Sequence, residues 1–251
     1  MDLQKASIWK RIAAWILDMM LLCVLAVGAG FVLSAALDYD SYDRQLQNAY
    51  DRYEEQYSVT FEIDQQTYTA MTAEEKANYD AAYAALIADE DAIRAYNMVV
   101  NLSLLITTLG ILAAILVLEL VIPLILKNGQ TVGKKCFSLG VVRTDGVQMN
   151  TLQLFARTVL GKFTIETMIP VYMVLMLFWG IMDATGTLIL AALSVGQIIC
   201  VLATRTNGAI HDMLAGTAVV DIASQKIFKS TEDLIAYTKR IHADRANRQD
   251  Y

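Results

Sequence analysis

The sequence predicts an all-α membrane protein: four transmembrane helices, an extracellular helical hairpin and a small cytoplasmic β element. Three observations predict it. First, 56% of the 251 residues are hydrophobic and only 18% are charged, against about 45–50% and 25% in soluble domains. Second, the apolar residues come in blocks. Ile12–Leu37 contains one charged residue, Asp18, and Met98–Leu126 one, Glu119, while Phe163–Thr204 contains only Glu166 and Asp183. A bilayer core takes about 20 apolar residues per helix, so the chain has room for four crossings. Third, charge is segregated. Between Asp38 and Asn97 stand 14 acidic and 4 basic residues, and the other 16 of the 20 Lys and Arg lie in 1–11, 127–162 and 205–251. Lys and Arg in short loops stay on the cytoplasmic side, which places both termini and the middle loop inside and the acidic loop outside. This is a multi-pass integral membrane protein, and soluble enzymes and nucleic-acid binders are excluded from the leading readings.

The elements follow in order. Residues 1–37 form the cytoplasmic N-terminus and the first span, too long and too interrupted for a cleaved signal sequence. Residues 38–97 form the acidic hairpin. Tyr42, Leu46, Tyr50, Tyr53 and Tyr57 recur at helical spacing, and Thr72-Ala-Glu-Glu75 is a capping box opening a second stripe of Tyr79, Tyr83, Leu86, Ile93 and Asn97. Val59, Phe61 and Ile63 alternate between them as a strand-like link. The tyrosines read first as the internal seam of the hairpin and second as a surface for an envelope protein partner. The second span covers 98–126, with Pro123 near its inner end.

Residues 127–162 form a cytoplasmic loop. Phe137–Val142 and Val147–Met149 flank Thr144-Asp-Gly146, a hairpin turn signal, and Ala218–Ile222 is a third β-leaning run. Thr151–Lys162 reads as an interfacial helix with Arg157 and Lys162 toward the headgroups. Residues 163–204 hold the last two spans, about 163–181 and 188–204, divided at Asp183-Ala-Thr-Gly-Thr187. Residues 205–251 form the cytoplasmic tail, in which Ser230-Thr-Glu-Asp233 caps a polar helix. Cys23, Cys136 and Cys200 lie outside the acidic loop, and no disulfide framework follows.

Ionisable residues inside spans are functional candidates because the bilayer makes them costly. At about 1.5 Å per residue, Asp18 lies roughly 10 Å and Glu119 roughly 12 Å inside the cytoplasmic boundary. Gln197 reaches a similar level from the fourth span, and Glu166 lines the approach. No basic residue of the second span neutralises Glu119. Two carboxyl groups at one depth raise each other's pKa, which suits holding a proton or exchanging it for a cation. Arg11 and Asp18 are two helical turns apart, with Trp15 between them, and His211 and Asp212 fold back toward Arg11 as an ionic latch. Protonation of Asp18 is expected to weaken that latch.

Other chemistries fail on spacing. The loop Asn128-Gly-Gln-Thr-Val-Gly-Lys-Lys135 has glycines four apart and no Ser or Thr after the lysine, unlike a phosphate-binding loop. With two histidines, His211 and His242, the composition points to no zinc or haem site. No cofactor is implied, and no motif marks an enzyme.

Three stretches carry a resemblance: Arg11-Ile-Ala-Ala-Trp-Ile-Leu-Asp18, Gly129-Gln-Thr-Val-Gly-Lys134 with Leu139-Gly-Val-Val142, and His211-Asp-Met-Leu-Ala-Gly-Thr217. Together they resemble the RDD family of bacterial membrane proteins, named for an Arg and an Asp in the first helix and a later Asp. The resemblance places those roles on Arg11, Asp18 and Asp212. It implies a membrane protein and, for some members, transport that includes sodium–proton exchange. The hairpin at 38–97 is longer than in compact members, which leaves room for an added binding role. The expected function is transport of a small cation such as sodium coupled to protons, in a homo-oligomer embedded in the lipid bilayer. The alternative is a non-transporting regulator or assembly factor that holds an envelope partner through the hairpin.

Overall fold

The structure is a computed structural model that describes residues 6–126, 129–178, 184–204, 208–224 and 226–249. It is mostly helical. Among the described residues, four helices are long and apolar enough to cross a membrane: Ile8–Ala36, Glu90–Leu126, Thr151–Met176 and Ala184–Ala203. We label them α1, α5, α7 and α8, with α7 continuing to Phe178. The shorter helices are α2 (Tyr39–Tyr57), α3 (Gln65–Ala70), α4 (Ala73–Ala88), α6 (Val132–Cys136), α9 (Ile210–Ala215) and α10 (Thr231–Gln249), and the strands are β1 (Leu139–Arg143) and β2 (Thr217–Asp221). The chain divides into two compact units, residues 26–110 and residues 1–25 with 111–251.

In the first of these units, α2 and α4 pack through Ala49, Leu86 and Ala92 with Tyr50, Tyr53 and Phe61 against them. Small side chains therefore share the seam expected of tyrosines. Ala82 is fully buried while Tyr83 is half exposed. The Thr72–Glu75 capping box is present, with the Glu75 carboxylate accepting from Thr72 N–H at 2.7 Å and the Thr72 hydroxyl from Glu75 N–H at 3.3 Å. Two expectations need correction. Val59–Ile63 is not a strand: its backbone bonds locally, Ile63 N–H to the Phe61 carbonyl at 2.9 Å, because Phe61 turns inward to meet the rings of Tyr50 and Tyr79 at 5.8 and 5.9 Å. The second stripe is also not one helix. It breaks at Asp89, whose carboxylate accepts from the N–H groups of Asp91 and Ala92 and so starts α5. Within the same unit Gly110 lies so close to α1 that an added Cβ would stand 3.2 Å from the Ala26 carbonyl, the close approach that small residues allow between membrane helices.

In the other unit, β1 pairs antiparallel with β2, Leu139 opposite Asp221 and Arg143 opposite Thr217. Leu139, Val141 and Val219 form a core with Ala6 and Ala14. Val147–Met149 contributes isolated bridges rather than a strand. Gly146, at φ 87°, makes the turn, and its N–H donates to the Arg143 carbonyl at 2.9 Å.

The third span begins earlier than expected. Asn150 and Gln153 form a capping box, and the helix runs without interruption from Thr151, so 151–162 is not a separate interfacial helix. Arg157 is buried rather than at the headgroups, and the partners described below are what let the helix carry it inward. Asp183 lies outside the described residues, as does Arg205. Ala184–Thr187, expected as a turn, are the first turn of α8, as suits an apolar run whose backbone must satisfy itself.

Two wide-turned (π) segments stand out: Leu116–Val121 in α5 and Ala156–Met168 in α7. Each precedes one of the chain's two prolines, Pro123 and Pro170. A proline lacks the N–H owed to the carbonyl four residues back, and its ring clashes with that carbonyl. Widening the preceding turns relieves the clash. For Pro123 the orphaned carbonyl is that of Glu119, and the Thr158 hydroxyl donates to it at 2.9 Å. The prolines thus shape the two stretches that carry Glu119, Arg157, Lys162 and Glu166.

Candidate functional site

Asp18 is buried on α1. Its carboxylate accepts from the Thr131 hydroxyl and, at 2.8 Å, from the Gly133 N–H. Thr131 also caps α6, accepting from the Lys134 N–H. This geometry requires glycine at 133, because a Cβ there would overlap the Ala14 carbonyl and sit 2.9 Å from the Asp18 carboxyl carbon. Among the described residues Asp18 is compensated by a hydroxyl and a backbone N–H.

Glu119 is 4% exposed. One oxygen accepts from the Lys162 ammonium. The other, Oε2, is buried without a hydrogen bond, with the Lys134 ammonium 3.7 Å away. Glu119 is therefore neutralised by lysines from α6 and α7, a compensation the composition of its own span gave no sign of. Lys134 is itself buried, and its pKa is pushed down to about 8 by burial, against the pull of Glu119 and with the repulsion of Lys162 and Arg157. Thr131 and Lys134 link Asp18 to Glu119: the Thr131 hydroxyl bonds Asp18, and the Lys134 ammonium reaches that hydroxyl at 3.4 Å and Glu119 at 3.7 Å.

A second chain of contacts starts at Arg157, 1% exposed. Its Nε and Nη2 donate to Asp212 Oδ1 at 3.1 and 2.7 Å, a two-pronged pair that suits a guanidinium. Nη2 also lies 2.8 Å from His211 Nε2. A guanidinium only donates, so Nε2 accepts and the ring proton sits on Nδ1, from which it bonds Glu166 Oε2 at 2.7 Å. Glu166 Oε1 accepts the His211 backbone N–H. Gly161 admits this approach: a Cβ there would stand 2.8 Å from His211 Cα. Burial is the main force holding His211 neutral, lowering its pKa, with Arg157 acting in the same direction and Asp212 against it. Burial works the other way on Asp212, yet Arg157, His211 and Arg11 hold its carboxyl well below the usual range. Arg11 reaches Asp212 Oδ2 at 3.5 Å, while Arg157, which the spacing alone did not single out, makes the closer pair. Gln197 Oε1 accepts the Ile210 N–H at 3.2 Å, tying α8 to the start of α9.

Arg11, Asp18, Lys134, Arg157, Lys162, Glu166, Gln197, His211 and Asp212 line one cavity of about 440 Å³; Glu119 sits behind Lys134 and Lys162. The network balances, with Arg11, Lys134, Arg157 and Lys162 against Asp18, Glu119, Glu166 and Asp212, and His211 neutral. Such an arrangement can exchange one positive charge for another without changing its net charge. Among the described residues no group of three or more His, Cys, Asp or Glu is placed to hold a metal ion. The lysines and Arg157 were legible only indirectly, since acids inside spans require compensation from somewhere.

The chain matches no curated protein and no solved structure. The RDD family model matches residues 5–216, which takes in Arg11, Asp18, the loop before α6 and Asp212. The chain belongs to the RDD family of membrane proteins.

Proposed function

We propose that the protein exchanges a small cation such as sodium for a proton across a bacterial plasma membrane, with both termini cytoplasmic and residues 38–97 outside. One observation carries this reading: a buried carboxylate oxygen, Glu119 Oε2, that lacks a hydrogen bond beside a lysine whose pKa lies at about 8. When Lys134 is protonated it screens Glu119. When Lys134 releases its proton, the carboxylate is left with Lys162 alone and accepts a cation in its place. The swap is one charge for one, which keeps the network neutral at four against four. Asp18 fixes α6, and hence Lys134, in reach; Asp212 and His211 hold α9 against α7 through Arg157 and Glu166, and Arg11 ties Asp212 to α1. Transport in a homo-oligomer follows from four spans being few for an alternating path.

Adding sodium or lithium to purified protein at pH 7, where Lys134 is mostly protonated, tests the reading. About one proton per bound cation is expected to be released, and Glu119→Gln is expected to abolish the release. Release that is unchanged in Glu119→Gln, or no release at any cation concentration, contradicts it.

A second reading is a regulator or assembly factor that binds an envelope partner through the hairpin. The observation in its favour is that residues 26–110 form a compact unit with their own core. Replacing 42–94 by a short Gly-Ser linker separates the two, because a transporter keeps its flux and an interaction protein loses its partner.

A further inference from the structure

The cavity is larger and more apolar than a bare ion requires. At about 440 Å³ it falls in the range of small-molecule sites, which are mostly apolar with a few convergent polar groups. Its apolar wall is built by Ile12 and Trp15 of α1, Ile165 and Pro170 of α7, and Leu193 and Val201 of α8. Its other end is the charged network.

Hydrogen-bonding capacity at that end is lopsided. Each oxygen of the carboxylates lining the cavity has a donor. Asp18 accepts from Thr131 and Gly133. Glu166 accepts twice from His211. Asp212 accepts from Arg157 on one oxygen and from Arg11 and the Ala209 N–H on the other. The Lys134 ammonium, 8% exposed as a residue, has three donors, and among the described residues its contacts are the long ones to Thr131 and Glu119. The lining charges are also unequal, because Arg11, Lys134, Arg157 and Lys162 face the cavity with only Asp18, Glu166 and Asp212 against them. The open valence of the cavity is one positive charge with unused donors.

We propose that the cavity binds an amphiphilic monoanion, a carboxylate or phosphodiester head on the Lys134 ammonium with an apolar body against α1, α7 and α8. The two sources of that chemistry are a bilayer phospholipid and a free fatty-acid-like carboxylate. The head competes with Glu119 for Lys134, so an occupied cavity leaves Glu119 to Lys162 alone. The inference goes beyond cation exchange and is read without flux, so either can fail while the other stands.

The test uses the full chain in phosphatidylcholine nanodiscs, with dodecanoate or phosphatidylglycerol as probe and binding followed by calorimetry. Dodecanol supplies the tail without the charge, and inorganic phosphate the charge without the tail. Saturable binding of dodecanoate or phosphatidylglycerol is expected, at least tenfold tighter than dodecanol or phosphate, which is the scale of a charge-assisted hydrogen bond. Dodecanoate alone marks a free amphiphile, phosphatidylglycerol alone a bilayer lipid, and both support the proposal. Lys134→Gln is expected to weaken binding at least tenfold and Lys134→Arg to retain most of it. Leu193→Trp, which fills the apolar end without touching the network, is expected to abolish binding and guards against a Lys134→Gln protein that fails to fold. Equal affinity for dodecanol, full binding by both Lys134→Gln and Leu193→Trp, or no saturable binding overturns the proposal.

Discussion

Asp212 shows how differently two ion pairs of one protein weigh. Its carboxylate is 1% exposed and pairs with Arg157, which is equally buried. Asp212→Asn leaves a guanidinium in low dielectric without its counter-charge, and about 3–5 kcal/mol of stability is expected to be lost. Lys10 pairs with Asp221 at 2.7 Å, but the lysine is 46% exposed, so Lys10→Ala is expected to cost under about 1 kcal/mol. Thermal unfolding in detergent measures both. His211 adds a pH dependence. Its folded pKa is lowered from 6.5, chiefly by burial, so the native state resists a proton that the unfolded chain accepts. Its contribution is complete above about pH 6.5 and is lost as pH falls below that value. The melting temperature is therefore expected to drop between pH 7 and 5, and more shallowly in His211→Gln. Gly133→Ala drives a methyl into the Ala14 carbonyl and the Asp18 carboxylate, a clash worth about 1–3 kcal/mol, and loss of folded yield reads it.

At the scale of elements, local signals were legible where the deciding contacts are near in sequence. The Thr72–Glu75 box, the Gly146 turn and the apolar blocks are short-range, and each stands in the structure as the residues imply. Thr72→Ala is expected to remove about 1 kcal/mol from α4, seen as faster amide exchange over its first turn and nowhere in α7. Where the deciding partner is far along the chain, periodicity misled. Arg157 and Lys162 read as headgroup contacts because nothing nearby in sequence reveals that their counter-charges come from α9 and α5. For the same reason Phe61 read as strand and proved to be an aromatic plug. The prolines hold a further signal: each marks a carbonyl that needs a substitute donor, and for Pro123 that carbonyl is the one of Glu119, which the Thr158 hydroxyl meets.

For the whole molecule, four apolar helices among the described residues and the RDD family establish a membrane protein, and acids lie inside its spans. They are neither scattered nor mutually exposed. They form a balanced set about one cavity, and the proposed exchange falls on Lys134. The most direct measurement is sodium efflux from proteoliposomes driven by an imposed pH gradient, with wild-type protein and with Glu119→Gln and Lys134→Gln folded to equal yield. The account predicts gradient-dependent efflux from wild type that steepens through about pH 8, at least a tenfold loss in Glu119→Gln, and flux without pH dependence in Lys134→Gln. Wild-type vesicles no leakier to sodium than empty ones, under either sign of gradient, would contradict it.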